Sequence, residues 1–190
     1  MINIITNIAE IKSGFLFKTG LTPDKEGNVS VIQLRDIDGE GNLHKENLIK
    51  VLEPSYVGED CVRKGDILFK AKTDHPVAAM VAEELKDTLV TAHYFIIRLK
   101  TTTVLPAYLS WYLNQKPARM YFDKHAGGTR VQIINKQVLG NLEIIIPELT
   151  VQEKIVKINS LYQRESALLD LLREKKQKLI AVKLLNIVSS

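Results

Sequence analysis

Short apolar runs broken by turn residues occupy residues 1–149, and a single helical pattern occupies residues 150–190. Residues 4–12 are apolar and β-branched enough for a strand or a short opening helix, and Gly14 punctuates them before Phe15-Leu16-Phe17-Lys18. A loop with Pro23 and Asp24 spans residues 20–27. Residues 29–34 predict a strand by β-branched content and partial alternation, residues 35–42 are turn-rich, and residues 48–52 predict another short strand before Pro54. The Lys64-Gly65-Asp66 turn feeds residues 67–72. Strand side chains alternate faces, so Lys70 and Lys72 are expected on one face and Ile67 and Phe69 on the other. Residues 77–82 and 91–99 predict further strands, the second buried on both faces over its centre.

Helical signals follow. Leu105-Pro106 opens a helix, because Pro is tolerated in a first turn. Tyr108, Leu109, Trp111, Tyr112 and Leu113 form its apolar side, with Trp111 read as a core aromatic. Pro117 starts a second helix that runs through Tyr121 and Phe122 to about Lys124. A glycine loop spans residues 125–130, and residues 131–134 are short and apolar. Asn135 begins a helical turn that Gly140 ends, and residues 144–146 form a last strand closed by Pro147.

Residues 150–186 predict one long helix. Thr150-Val151-Gln152-Glu153 reads as a capping box, and neither Pro nor Gly follows it. Apolar residues recur three or four apart at Val151, Ile155, Ile158, Leu161, Tyr162, Leu168, Leu169, Leu172, Leu179 and Val182. That spacing is a narrow stripe close to a coiled-coil seam, interrupted at Glu165 and at Lys175 and Lys176. At about 1.5 Å per residue the helix is roughly 55 Å long, more than the roughly 30 Å diameter of the domain before it. The stripe either folds back along its own domain or pairs with another helix, and pairing is the expectation. The expected class is therefore α+β: a mixed globular domain over residues 1–149, then a spacer and dimerisation helix over residues 150–190.

Charge sharpens this division. Residues 1–149 balance 18 Lys and Arg against 18 Asp and Glu, and residues 150–190 carry the whole net charge of +4. Within the neutral part, residues 24–60 are acidic, whereas residues 62–72 and 116–136 are basic. Two concentrated basic stretches on a neutral domain suit a local phosphate-binding face better than general stickiness. The single cysteine, Cys61, excludes an intramolecular disulfide. Residues 1–5 have no basic leader and no apolar run is long enough for a membrane span. The sequence alone therefore reads as a cytoplasmic protein without membrane contact.

The best chemical candidate is Lys124-His125-Ala126-Gly127-Gly128-Thr129-Arg130-Val131-Gln132. Adjacent glycines let backbone amides approach an anion closely, Thr129 adds a hydroxyl, and Lys124 and Arg130 add charge. A helix C-cap glycine pair is the plainer alternative. The loop is not a Walker A motif, since no Gly-Lys-Ser/Thr follows the glycines. Catalytic patterns are missing too: there is no Asn/Asp-Pro-Pro-aromatic tetrapeptide and no glycine fingerprint for a nucleotide cofactor. Glu84 and Lys86 match a nuclease-like Glu-x-Lys only at chance level. His44, His75, His93 and His125 lack metal-ligand spacing. No catalytic residue, cofactor or metal is expected.

Six motifs follow one another in order: Ile11-Lys12-Ser13-Gly14-Phe15, Gly65-Asp66-Ile67-Leu68-Phe69, Pro106-Ala107-Tyr108-Leu109-Ser110-Trp111-Tyr112-Leu113, Gly128-Thr129, the run Leu142 to Leu149, and Gln152-Glu153-Lys154-Ile155. The ordered set resembles one half of the specificity (S) subunit of type I restriction–modification systems. The resemblance implies a target recognition domain that reads a DNA half-site and a helix that spaces and dimerises. The usual member has two such units in tandem with antiparallel helices, whereas this chain has one. It is therefore expected to act as a half-subunit that pairs with a second copy as an antiparallel coiled-coil homodimer and favours a bipartite palindromic target. The implied partners are double-stranded DNA, a DNA adenine methyltransferase subunit and a motor-nuclease restriction subunit. Phosphate contacts are assigned to Lys18, Lys70, Lys72, Lys124, Arg130 and Lys136, with Gly128 and Thr129 adding backbone and hydroxyl contacts. Base edges are assigned to Gln33, Arg35, Gln132 and Asn135, following the pairing of Arg with guanine and Asn or Gln with adenine. Dimerisation is assigned to Ile155, Ile158, Leu161, Tyr162, Leu168, Leu169, Leu172, Leu179 and Val182. A structural adaptor that docks through the helix without binding DNA is the alternative, and an enzyme with a cryptic site the third.

Overall fold

A computed structural model describes residues 1–18, 20–53, 55–56, 58–73, 75–127 and 133–188. Two compact units form, Met1–Gln152 and Glu153–Ser190.

Among the described residues the first unit has three sheets. Strands β1 (Ile2–Ile4) and β9 (Glu143–Ile145) pair as an antiparallel ribbon with Ile2 opposite Ile145. Strands β2 (Ala9–Ser13), β5 (Ile67–Lys70), β6 (Ala78–Met80) and β8 (Tyr94–Leu99) form an antiparallel sheet in the order β2-β8-β5-β6. Strands β3 (Val29–Ile32), β4 (Ile49–Val51) and β7 (Thr88–Val90) form the third, with β3 central, antiparallel to β4 and parallel to β7. Helices α1 (Ile5–Ile8), α2 (Pro106–Leu113), α3 (Lys116–His125) and α4 (Lys136–Gly140) complete the unit.

Alternation along β3 explains the core. Val29 and Val31 enter one cluster with Val51, Cys61 and Leu89, while Ile32 enters a second with Leu68, Val90, Tyr94 and Ile96. The sheet thus buries both faces, and β7 does the same with Leu89 and Val90 on opposite sides. All four residues of β5 are buried between β8 and β6. A strand covered on both faces shows no polar alternation, so residues 88–90 escape the sequence reading. The strand expected over residues 91–99 begins only at Tyr94, whose amide closes a turn on the Thr91 carbonyl.

Two glycines answer geometric demands. A Cβ on Gly14 would lie 2.2 Å from the Thr91 carbonyl oxygen, so only glycine lets β2 run that close to β7. Gly65 adopts φ +89 in the turn before β5, a conformation costly to any side chain. That turn also positions Asp66, whose carboxylate accepts from Arg98 Nε at 2.8 Å and Nη2 at 2.6 Å and from the Arg63 amide at 2.8 Å. The bidentate pair joins the start of β5 to β8.

The residues expected to form a strand or an opening helix form both: β1, one turn of α1, then β2. Trp111 is only partly buried, its ring centroid 5.6 Å from that of Tyr108. The long helix α5 runs over Leu149–Val188. Its first amides, those of Val151 and Gln152, bond the Glu148 carbonyl at 2.9 and 3.1 Å. Thr150 therefore lies inside the first turn and is not the cap. The reason is Gln152, which is fully buried and satisfied at both ends. Its Oε1 accepts from the Leu105 amide at 2.9 Å, and its Nε2 donates to the Thr103 and Pro147 carbonyls at 2.9 and 2.8 Å. The anchor of the helix start is this amide, not an apolar stripe residue.

In the second unit α5 continues without a break, and its apolar side chains are open. Ile158, Leu161, Tyr162, Leu168, Leu169, Leu172, Leu179 and Val182 are all exposed, and Ile155 is half-buried. Ile158, Leu161, Tyr162, Leu168, Leu169 and Leu172 line one shallow apolar strip. Among the described helices none is long and apolar enough to cross a membrane.

Candidate nucleic-acid interface

The extension of β5 past Lys70 carries the base of the glycine loop. The Ala71 carbonyl accepts the Ile134 amide at 2.9 Å, and Lys72 pairs with Ile133 across an antiparallel bridge. Gly127 and Ile133 then exchange both backbone hydrogen bonds, at 3.1 and 2.9 Å. The stem is therefore closed like the end of a hairpin. Gly128, Thr129, Arg130 and Gln132, the expected tip contacts, lie outside the described residues. Lys72 at the stem, Lys124 in the last turn of α3 and Lys136 at the start of α4 are exposed. Asn135 is exposed as well, but its Oδ1 caps α4 by accepting the Val138 amide at 2.8 Å. Only its Nδ2 is left as a donor from the amide. Lys18 is exposed after β2.

Lys70 departs from the expectation. Its side chain is buried, and its ammonium donates to the Ile37 carbonyl. Burial pushes its pKa below the usual lysine value, against the pull of Asp38 and Asp36. Its ammonium is engaged with a backbone carbonyl and not open to solvent, which sets Lys70 apart from the exposed lysines assigned to phosphate. The sequence rule of alternation failed here because the strand has no solvent face.

The carbonyl that Lys70 holds belongs to the turn bearing Gln33 and Arg35. Residues Leu34–Asp36 form one 3-10 turn. Asp36 is fully buried and accepts the Gln33 amide at 2.7 Å. Tyr94 donates its hydroxyl to the Gln33 carbonyl at 3.2 Å, and burial drives that hydroxyl's pKa well above its usual value. Arg35 is exposed and its Nε lies 3.7 Å from Asp36 Oδ1. Gln33 is half-buried.

A second basic site was missed by sequence reasoning. Lys12, Lys100 and Lys136 line one groove of about 530 Å³ with Thr6, Ser13 and Glu10. Lys12 and Glu10 sit 3.7 Å apart in it as a partly exposed pair. Lys12 and Lys100 stand at opposite ends of the reading, in isolated positions with no basic run around either. Only the pairing of β2 with β8, Ala9 opposite Leu99, brings them together.

Among the described residues no three of His, Cys, Asp and Glu gather as a metal site. The residues assigned to dimerisation belong to the second unit, and all but half-buried Ile155 are exposed.

Comparison with known proteins adds the following. A family model described as the type I restriction modification DNA specificity domain matches residues 4–180. No curated protein matches the chain. Among solved structures, the HsdS subunit from Thermoanaerobacter tengcongensis is similar at 18% identity and TM-score 0.62, over 88% of this chain and 38% of that one. The type I restriction-modification S subunit from M. genitalium is similar at 16% identity and TM-score 0.58, over 86% of this chain and 39% of that one. A chain from a type I R-M system complex is similar at 18% identity and TM-score 0.55, over 89% and 39%. At these identities the likeness is one of fold. The chain spans about two fifths of the length of these subunits.

Proposed function

Since the chain belongs to the type I restriction–modification DNA specificity family, we propose that it is a non-catalytic DNA-reading subunit whose first unit binds one half-site. The observation that carries this reading is the closed loop stem with Lys72, Lys124 and Lys136 exposed around it. Lysines set on a rigid stem neutralise phosphates and fix register, while the loop itself and the Gln33–Arg35 turn supply base contacts. Lys12 and Lys100 extend the phosphate contacts along the groove they share with Lys136. Two copies that pair through the apolar stripe of α5, as an antiparallel coiled coil, bring two such units to one duplex with twofold symmetry. A pair of that kind reads a bipartite palindrome. Methyltransferase and motor-nuclease subunits supply the chemistry on that scaffold.

The test is the salt dependence of duplex binding by the full chain. Each of Lys72→Ala, Lys124→Ala and Lys136→Ala weakens binding and flattens the slope of log K against log salt by about 0.9. Lys178→Ala serves as the control, because that lysine lies on α5 paired with Glu174. Its slope stays at the unmodified value. The exposed stripe on α5 also suits the adaptor reading, in which the chain binds a protein and not DNA. Absence of duplex binding at low salt, or equal slopes for all four variants, selects that reading.

A further inference from the structure

We propose that Lys70 is a positioning residue for DNA recognition: it fixes the turn that presents Gln33 and Arg35 and never touches DNA itself. The inference rests on the DNA-reading function above and names the group that sets its selectivity.

The argument begins with burial. A lysine at the end of a strand covered on both faces loses its hydration, and loses it for little unless its ammonium finds a partner. Here the partner is a backbone carbonyl, that of Ile37. Aliphatic side chains fill every other position of β5, apart from the Phe69 ring, so packing alone does not call for an amine at residue 70. What the amine does is hold one end of a turn whose other end is held separately. Tyr94 donates to the Gln33 carbonyl, and Lys70 and Tyr94 face each other in the β5–β8 register. Between these two ties, buried Asp36 accepts the Gln33 amide. Gln33 and Ile37 are thus clamped by a cross-strand pair, with Arg35 standing exposed midway between them. An arginine on a fixed backbone gives up less freedom when it makes a bidentate contact. A loose turn would still attract phosphate but would not hold the arginine to one base edge.

The two roles open to Lys70 make opposite predictions. A phosphate ligand contributes to every sequence equally and to the salt slope. A positioning residue contributes to the difference between sequences and leaves the slope alone. The experiment selects the preferred site from a random duplex library with the unmodified full chain, then measures affinity for that site and for random duplex. The proteins are the unmodified chain, Lys70→Met, Tyr94→Phe and Lys72→Met. Lys70→Met keeps its affinity for random duplex and its salt slope, but the ratio of preferred to random affinity falls about tenfold. Tyr94→Phe removes only a hydroxyl from the other end of the turn and lowers the ratio in the same direction. It keeps the test open if Lys70→Met does not fold. Lys72→Met lowers both affinities alike and reduces the slope. A reduced slope in Lys70→Met overturns the proposal in favour of direct phosphate contact. An unchanged ratio in Lys70→Met, or in a folded Tyr94→Phe where Lys70→Met does not fold, overturns it in favour of a core lysine without a part in recognition. An unmodified chain that selects no sequence overturns the DNA-reading function as well, and is distinguished by that result alone.

Discussion

His44 places a carboxylate against each of its ring nitrogens. Nε2 lies 3.1 Å from Asp38 and Nδ1 lies 3.4 Å from Glu46. A neutral imidazole carries one N–H, so only the imidazolium donates to both. The hydrogen bond to Asp38 is the main reason its pKa stands above the usual histidine value. Asp38 answers in the other direction. Partial burial opposes its ionisation, but donation from Asn42, His44 and the Glu40 amide outweighs that and holds its carboxyl below the usual range. The signs follow from linkage. The contribution of His44 is complete below the ordinary histidine value of about 6.5 and is lost as pH rises through its raised value. That of Asp38 is complete above about 4 and is lost as pH falls through its lowered value. The loop from Asp38 to Glu46 is therefore tightest between about pH 4 and 6.5. In an NMR titration most of the upward shift of His44 is lost when Asp38 is changed to Asn, and protection of the Asn42 amide, corrected for intrinsic exchange, falls as pH rises through the His44 transition in the unmodified chain. A histidine that titrates at the same pH in both proteins removes the bond from the account.

The start of α5 is the element where a polar side chain outweighs an apolar pattern. Replacing Gln152 by Leu keeps a side chain of similar length in the site and removes three hydrogen bonds at once. The Leu105 amide and the Thr103 and Pro147 carbonyls then lose their partner in the interior. At about 1–3 kcal/mol for a buried group left unsatisfied, the loss of stability is about 3 kcal/mol, since some of these groups regain water. Urea unfolding of the full chain followed by fluorescence of Trp111 measures it, and a change within 0.5 kcal/mol of zero would show that the amide is dispensable. Much of this architecture was legible from the chain alone. Pro106 and Pro117 marked the openings of α2 and α3, Asn135 and Gly140 bounded α4, and the apolar stripe with no Pro or Gly after Thr150 gave α5. What escaped has a common cause. β7 lacks alternation because both faces are covered, Lys70 looks like a surface residue because charge normally is one, and Lys12 meets Lys100 only through strand pairing. Each depends on what lies across the fold, which local spacing does not encode. Gln152 was visible as part of a family motif, but its burial was not: a glutamine beside a plausible cap reads as solvent-exposed.

At the scale of the whole molecule the open stripe on α5 is what the proposed pairing of two copies rests on. Nine leucine, isoleucine, valine and tyrosine side chains from Leu161 to Val182 stand more than half exposed or close to it, and water is a poor neighbour for an apolar strip of that kind. Sedimentation equilibrium of the full chain is expected to give a dimer, and Leu168→Glu with Leu172→Glu is expected to convert it to a monomer. Placing like charges on a helix seam costs enough to separate micromolar partners. The monomer retains binding to a duplex with a single half-site and loses the advantage of the palindrome. A native chain that is monomeric at all concentrations withdraws the symmetric target, though not DNA reading by the first unit.

The ribbon of β1 and β9 has a further consequence, and it concerns time. The Met1 amino group donates to the Ile146 carbonyl across 145 positions of sequence. Closing so long a loop is entropically late, and on a ribosome adding about 5–20 residues per second the partner strand arrives on the order of ten seconds after the first. Throughout that interval residues Ile2–Ile4 lack the strand they pair with. The strand that completes this ribbon also leads into Gln152, so synthesis supplies the partner of β1 and the anchor of α5 within the same few residues.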